Sequence, residues 1–218
     1  GHEMTHGVVG STAALVYENE SGAMNESFAD IFGTMIDRED WKMGEDVVRL
    51  SAFPSGALRD LSNPHNGAAT GDYGRWQPRH VSEQYKGTND NGGVHINSGI
   101  PNYAFYLFVQ EMAKSSNEEQ AKKIAEKVFY RALANYLTRS SVFIDLRAAI
   151  EQSCKDLHGA NSDVLSAAKK AFDQVGIAGS TDPGGNKYQN DLPVNPGQQF
   201  VVCTDNQNLG VYVIILQS

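Results

Sequence analysis

His2-Glu3-Met4-Thr5-His6 begins one residue into the chain. Residues four apart share a face of a helix, so His2 and His6 can aim ring nitrogens at one metal ion while Glu3, beside them, handles a proton. That is the geometry of a zinc hydrolase. Val9 and Ala13 continue the face of the two histidines at helical spacing, and Val8 and Leu15 lie near its edge, which places the motif on a helix. Read alone, the same five residues also fit an amphipathic helix with two partly buried histidines, so the assignment depends on its surroundings.

A zinc site that leaves one position open to water takes a third protein ligand, commonly His, Asp or Glu. Asn25-Glu26-Ser27-Phe28-Ala29-Asp30 supplies Glu26 on a second predicted helix, capped by Ser21 and running through Ile31, Phe32 and Met35 to about Asp37. Glu26 and Asp30 are again four apart and share a face.

Four ordered blocks carry a wider resemblance: HEMTH at 2–6, ENESGAMNESFADIFGT at 18–34, GALRDLSNP at 56–64 and DNGGVHINSGI at 90–100. Together they resemble the thermolysin-like neutral metallopeptidases, secreted zinc endopeptidases with a glutamate ligand. The likeness extends to AFDQVGI, ending at Ile177, and covers the second half of that family's catalytic unit. It implies an upstream β-rich N-terminal domain that forms the other wall of the cleft. The first turn of a helix frays, yet His2 sits there, which also suggests that the native protein extends upstream or that a second polypeptide supplies that half.

The resemblance assigns roles residue by residue. Zinc is held by His2, His6 and Glu26; Glu3 is the base that takes a proton from water and passes it to the leaving amine. Asp30 orients one ligating histidine, and Asn25 is a candidate for the other. Tyr17, which from spacing alone is an ordinary half-buried aromatic, becomes a donor to the oxyanion of the tetrahedral intermediate. His95 shares that task, with Asp90 orienting its ring. His65 and His80 lack such a context and read as ordinary loop residues. Arg59 reaches the substrate backbone, and Met43, Val47 and Leu58 line a pocket suited to Leu, Phe or a similar side chain after the scissile bond.

An acidic patch, Asp37, Glu39, Asp40, Glu45 and Asp46, has the oxygen chemistry that calcium requires and equally the composition of a solvated loop. In the family the corresponding segment binds calcium, and Asp37, Asp40 and Glu45 match three of its carboxylates. Lys42 stands where members with a calcium pair carry a carboxylate, which argues against two ions.

The 218 residues are 40% hydrophobic and 20% charged, enough for one sizeable core, and neither disordered nor fibrous. A formal charge of -8 argues against nucleic acid or an anionic membrane as partner. Residues 51–93 are rich in turn signals and read as a long irregular connection. Predicted helices follow at Ile100–Ala113, Asn117–Tyr136, Ser141–Leu157 and Asn161–Val175. The expected fold is therefore mainly α, a helical bundle that carries the zinc site over residues 1–178. Residues 179–218 form a turn-rich connection with two apolar runs, Phe200–Cys203 and Gly210–Leu216, read as a β-hairpin extension. Cys154 and Cys203 are the only two cysteines, and in a secreted protein a disulfide between them would tie the tail to the bundle.

The sequence thus points to a secreted zinc endopeptidase acting on peptides or proteins, with calcium as a candidate second ion. The competing reading is an inert fragment or binding module that keeps the fold and lacks half of the cleft. Intact Glu3 favours the enzyme.

Overall fold

The computed structural model describes residues 1–66 and 76–179 with their side chains, and the backbone of residues 200–204 and 211–215. Two helices carry the opening motifs. The first, α1 (His2–Ser11), is shorter than its apolar spacing suggests. Ser11 and Thr12 hydroxyls donate back to the Gly7 and Val8 carbonyls at 2.9 and 2.7 Å, competing with continuation of the helix. Ala14, at φ +51°, then turns the chain away. Ala13 and Leu15 are buried all the same, as part of the turn rather than of the helix face.

The second helix, α2 (Asn19–Ile36), buries 12 of its 18 residues, polar ones included, because other helices pack on it from several sides. It starts at Asn19, before the expected cap: Ser21 instead donates to the Arg139 carbonyl at 2.7 Å, joining α2 to a distant loop. Within the long connection the structure holds a ribbon that the sequence did not announce. Strands β1 (Lys42–Met43) and β2 (Arg59–Asp60) pair antiparallel, with Met43 opposite Arg59. A short 3-10 turn at Val81–Glu83 follows.

The remaining helices are α3 (Asn89–Asn97), α4 (Gly99–Ala113), α5 (Glu118–Asn135), α6 (Phe143–His158) and α7 (Asp163–Gln174). The start of α5 is set by Asn117, whose side chain accepts from Gln120 N at 2.9 Å; that of α7 is set by Ser162, which accepts from Leu165 N at 3.2 Å. Phe28 of α2, Phe105 and Phe108 of α4 and Phe129 of α5 meet at the centre with ring centroids 4.8–6.3 Å apart around Phe129. Arg147 on α6, almost fully buried, donates to Asp173 at 2.5 Å and to the Ile177 carbonyl at 2.6 Å, fastening the end of the helical body. The fold is mainly α, as the sequence pattern implied. Among the described residues no helix is long and apolar enough to cross a membrane.

The chain divides into two compact units, residues 1–179 and 180–218. In the second, β3 (Phe200–Thr204) and β4 (Val211–Ile215) form an antiparallel hairpin with Phe200 opposite Ile215 and Thr204 opposite Val211. Cys154 is buried on α6, and burial, with Glu151 nearby, pushes its thiol up to about 12. The side chain of Cys203 lies outside the described residues, and so does the expected pairing of the two cysteines.

The aromatic centre makes the bundle sensitive to truncation. Phe129→Ala should cost about 3–5 kcal/mol in urea unfolding, whereas Tyr130→Ala, one position on and 51% exposed, should cost far less. Equal losses would mean that the two rings share a similar environment.

Candidate metal centre

Where α1 crosses α2, the ring nitrogens of the two motif histidines converge. His2 Nε2 and His6 Nε2 are 3.1 Å apart, and the Glu26 carboxylate faces both, at 3.6 Å from His2 and 3.4 Å from His6. Among the described residues these three are the one group of His, Cys, Asp or Glu whose ligand atoms all lie within 4.8 Å of one another. Each ring is oriented from behind. His6 Nδ1 donates to Asn25 Oδ1 at 2.8 Å, and Asn25 Nδ2 donates to the Leu15 carbonyl at 3.2 Å, which sets the amide's direction. His2 Nδ1 lies 2.9 Å from Asp30 Oδ1. With both Nδ1 atoms turned outward, both Nε2 lone pairs face Glu26.

Glu26 is 1% exposed, and its Oε2 is a buried acceptor without a hydrogen-bond partner. A buried carboxylate oxygen of this kind, facing His2 Nε2 at 3.6 Å and His95 Nε2 at 3.4 Å, suits a cation or a hydrogen-bond donor. Two neutral imidazole nitrogens and a carboxylate, converging with room for one small cation, form a donor set that suits zinc. The residues present therefore fit the metal.

A second group closes on the same carboxylate from α3. Gly22 allows the approach, since a Cβ there would meet Val94 Cγ1 at 2.4 Å and the Tyr17 carbonyl carbon at 2.9 Å. Tyr17 donates a short hydrogen bond to Glu26 Oε1, and its hydroxyl is 3.1 Å from His95 Nε2. Burial, followed by the Glu26 hydrogen bond, pushes the Tyr17 phenol well above its usual range, so it remains a donor at neutral pH. His95 Nδ1 donates to Asp90 Oδ1 at 2.7 Å, and His95 N donates to Asp90 Oδ2 at 2.8 Å. Sequence patterning made this stretch an irregular loop. It is wound tightly: Asp90, Asn91, Gly92 and Gly93 all have φ between +49° and +83°, a left-handed turn leading into the right-handed part of α3. Only such a reversal brings the Asp90 carboxylate onto both the amide and the ring of His95.

The substrate-facing candidates are placed by the small ribbon. Pairing with β1 carries Arg59 against Asp30, with Nε 2.9 Å from Oδ2 and 3.1 Å from Oδ1. Asp30 is fully buried. Burial alone would raise its pKa, but Arg59, His2 and Asn102 more than offset this and hold it below the usual carboxylate range. Val47 and Leu58 meet beside Gly44, where a Cβ would lie 3.1 Å from Leu58 Cβ and 3.8 Å from Val47 Cγ2, whereas Met43 turns toward α2, its Cε 3.4 Å from where a Cβ on Gly33 would lie. Val47 is 82% exposed and Leu58 39%, so these two are open to solvent, while Met43 packs against the core. Glu3 is exposed, one residue along α1 from His2.

Asp37, Asp40 and Glu45 do not come together as a cluster of the kind formed by His2, His6 and Glu26. Asp40 accepts from Lys42 N at 2.8 Å, the ordinary work of a turn, and Asp37 ends α2. His65 is stacked on Trp76 with centroids 4.5 Å apart and is 3.0 Å from Glu83, away from the convergence. Ser27 and Asn102, which complete the surroundings of Asp30, escaped sequence reading because their pairing spans 75 residues and has no period. The one available signal was an amide inside the apolar run of α4.

A pair of histidines one helical turn apart on one helix, with a glutamate from a neighbouring helix, defines a mononuclear metal-hydrolase type of centre. Comparison with known proteins makes this specific. The profile of the family described as "Thermolysin metallopeptidase, alpha-helical domain" matches residues 13–177, and the chain belongs to that family. The metal of this family is zinc. Relatives include the thermostable neutral protease NprT of Geobacillus stearothermophilus, 46% identical, and an extracellular elastase of Staphylococcus epidermidis, 42% identical. The alignments cover 81% of this chain and 32% and 31% of those two proteins, so the chain spans about a third of their length. Among solved structures it is similar to the precursor of protealysin, a metalloproteinase from Serratia proteamaculans. That likeness has a TM-score of 0.69 and 29% identity, covering 82% of this chain and 56% of the other.

The depressed Asp30 sets an acid limit on stability. Its ionised form stabilises the fold above the unfolded value of about 3.9, and this contribution disappears as pH falls through the lower folded value. Urea unfolding across acid pH should show that loss in the parent chain. Asp30→Asn should flatten the pH dependence and cost about 3 kcal/mol at neutral pH, since Arg59 loses its anion. An unchanged acid slope would refute the assignment.

Proposed function

We propose that this helical unit is the zinc-bearing part of a secreted endopeptidase that hydrolyses peptide bonds. The observation that carries the reading is the convergence of His2 Nε2, His6 Nε2 and the buried Glu26 carboxylate on one point. His2, His6 and Glu26 would hold the metal, which when bound supplies Lewis-acid activation of water and of the peptide carbonyl. The names of the relatives, a neutral protease and an extracellular elastase, support peptide substrates and secretion.

Around that point each residue has a task suited to its chemistry. Glu3, exposed and carboxylate, accepts the proton of the attacking water and delivers it to the departing nitrogen. Tyr17 donates a hydrogen bond to the carbonyl oxygen as negative charge develops there, and His95 joins it from Nε2 when the ring carries a second proton beside the one given to Asp90. Asp90 holds the His95 ring with its Nε2 edge toward the substrate. Arg59, anchored by Asp30, fixes the peptide backbone, and Met43, Val47 and Leu58 favour a bulky apolar side chain after the scissile bond. Asn25 and Asp30 orient the two histidines. No covalent enzyme intermediate is needed. A domain upstream of this unit would supply the facing wall of the cleft, and residues 179–218 would be an extension of the chain beyond it in sequence. Asp37, Asp40 and Glu45 have the oxygen chemistry to hold a calcium ion together with backbone carbonyls.

The test is in two parts. Elemental analysis after dialysis against a weak chelator should find about one zinc per chain, lost on His6→Ala. In a preparation that cleaves peptides, Glu3→Gln should keep the zinc and lower kcat at least about 100-fold. Retention of substantial turnover by that variant would eliminate Glu3 as the base.

A further inference from the structure

Asp30 has more partners than the orientation of one histidine requires. Besides His2 and Arg59, its Oδ2 accepts a 2.9 Å hydrogen bond from Asn102 Nδ2 on α4. Asn102 Oδ1 in turn accepts a 2.7 Å bond from Ser27 Oγ on α2. Ser27 and Asn102 are each 1% exposed and Asp30 is fully buried, so no solvent is at hand to replace either bond.

The chain of bonds has a direction. A carboxylate only accepts, so the NH2 end of the amide must face Asp30; that leaves the carbonyl end for the one donor nearby, the Ser27 hydroxyl. Flipping the amide would sacrifice both bonds at once. Serine inside a helix commonly bonds back to its own backbone, as Thr34 does to the Asp30 and Ile31 carbonyls. Ser27 reaches across to another helix instead. A buried amide in the otherwise apolar run of α4 is costly unless both of its ends are used.

We propose that Ser27 and Asn102 are positioning residues of the metal centre. They lock the Asp30 carboxylate in the orientation that presents His2 Nε2 to Glu26 and, through the same two oxygens, holds Arg59 beside the site. The inference rests on the reading of His2, His6 and Glu26 as the zinc ligands. A purely structural pair would knit α2 to α4 and leave metal affinity alone; a positioning pair lowers affinity in a chain that remains folded.

Zinc affinity of the 218-residue chain, measured by competition with a chromophoric chelator, separates the two. Ser27→Ala and Asn102→Ala should each weaken zinc binding about 10-fold, the low end of what partners behind metal ligands contribute. Ser153→Ala, which removes a buried hydroxyl without a hydrogen-bond partner on α6, should leave the affinity unchanged. In the zinc-free protein, 1H–15N correlation spectra of the neutral imidazoles should show His2 held with its proton on Nδ1, and a mixture of tautomers in the two variants. If Asn102→Ala fails to fold, Ser27→Ala, which loses only a hydroxyl, carries the test. Parental affinity and a single His2 tautomer in Ser27→Ala overturn the proposal while leaving the metal centre standing. A parent chain that takes up no zinc overturns the metal centre and this inference together.

Discussion

A carboxylate without solvent contact must be surrounded by donors or it will not ionise, and Asp30 meets that demand from three directions. Its partners arrive on separate elements: His2 on α1, Arg59 on β2 and Asn102 on α4. None of these elements is near another in sequence, yet each has to be in register for the charge to be tolerated. One group therefore bears on both the stability of the bundle and the direction of the His2 ring.

The site has two halves with different mechanics. The metal-facing half is built on α1 and α2, where helical spacing and close packing set positions without strain. The other half, Asp90 and His95, depends on four consecutive left-handed residues, two of them not glycine. For Asp and Asn that conformation costs roughly 1 kcal/mol or so each, offset here by the bonds from Asp90 to the amide and ring of His95. Rigidity on one side thus meets a tensioned loop on the other, and Tyr17, touching both Glu26 and His95, sits between them.

Much of the helical frame was legible because it is periodic or capped. The starts of α5 and α7 fall within a residue or two of the expected Asn117 and Asn161, because the apolar spacing of both helices is regular. That His2, His6 and Glu26 share a point was readable from two fourfold spacings and one resemblance. What could not be read was set by contacts remote in sequence. The end of α1 depends on hydroxyls turning back on their own helix. Ser21, a plausible cap, is taken by the Arg139 carbonyl. The β1–β2 ribbon has two residues per strand, too few for alternation to register, although it is what delivers Arg59 to Asp30. Composition recorded the charge of Asp37, Asp40 and Glu45 and not the direction of their carboxylates, which left a calcium site and a solvated loop equally readable there.

The left-handed turn also bears on how related chains are compared. From Asp90 to Gly93 the backbone runs with the opposite hand to nearly all the rest of the molecule, and L-amino acids other than glycine, asparagine and aspartate are penalised there. A Cβ on Gly92 would also strike the Asn19 side chain at 2.3 Å, and one on Gly93 the Tyr85 ring at 2.7 Å. Handedness alone would preserve the Asp-Asn-Gly-Gly run in a descendant that had abandoned its chemistry. Such a run in another sequence testifies to a shape, and by itself says nothing of what the residues around it do.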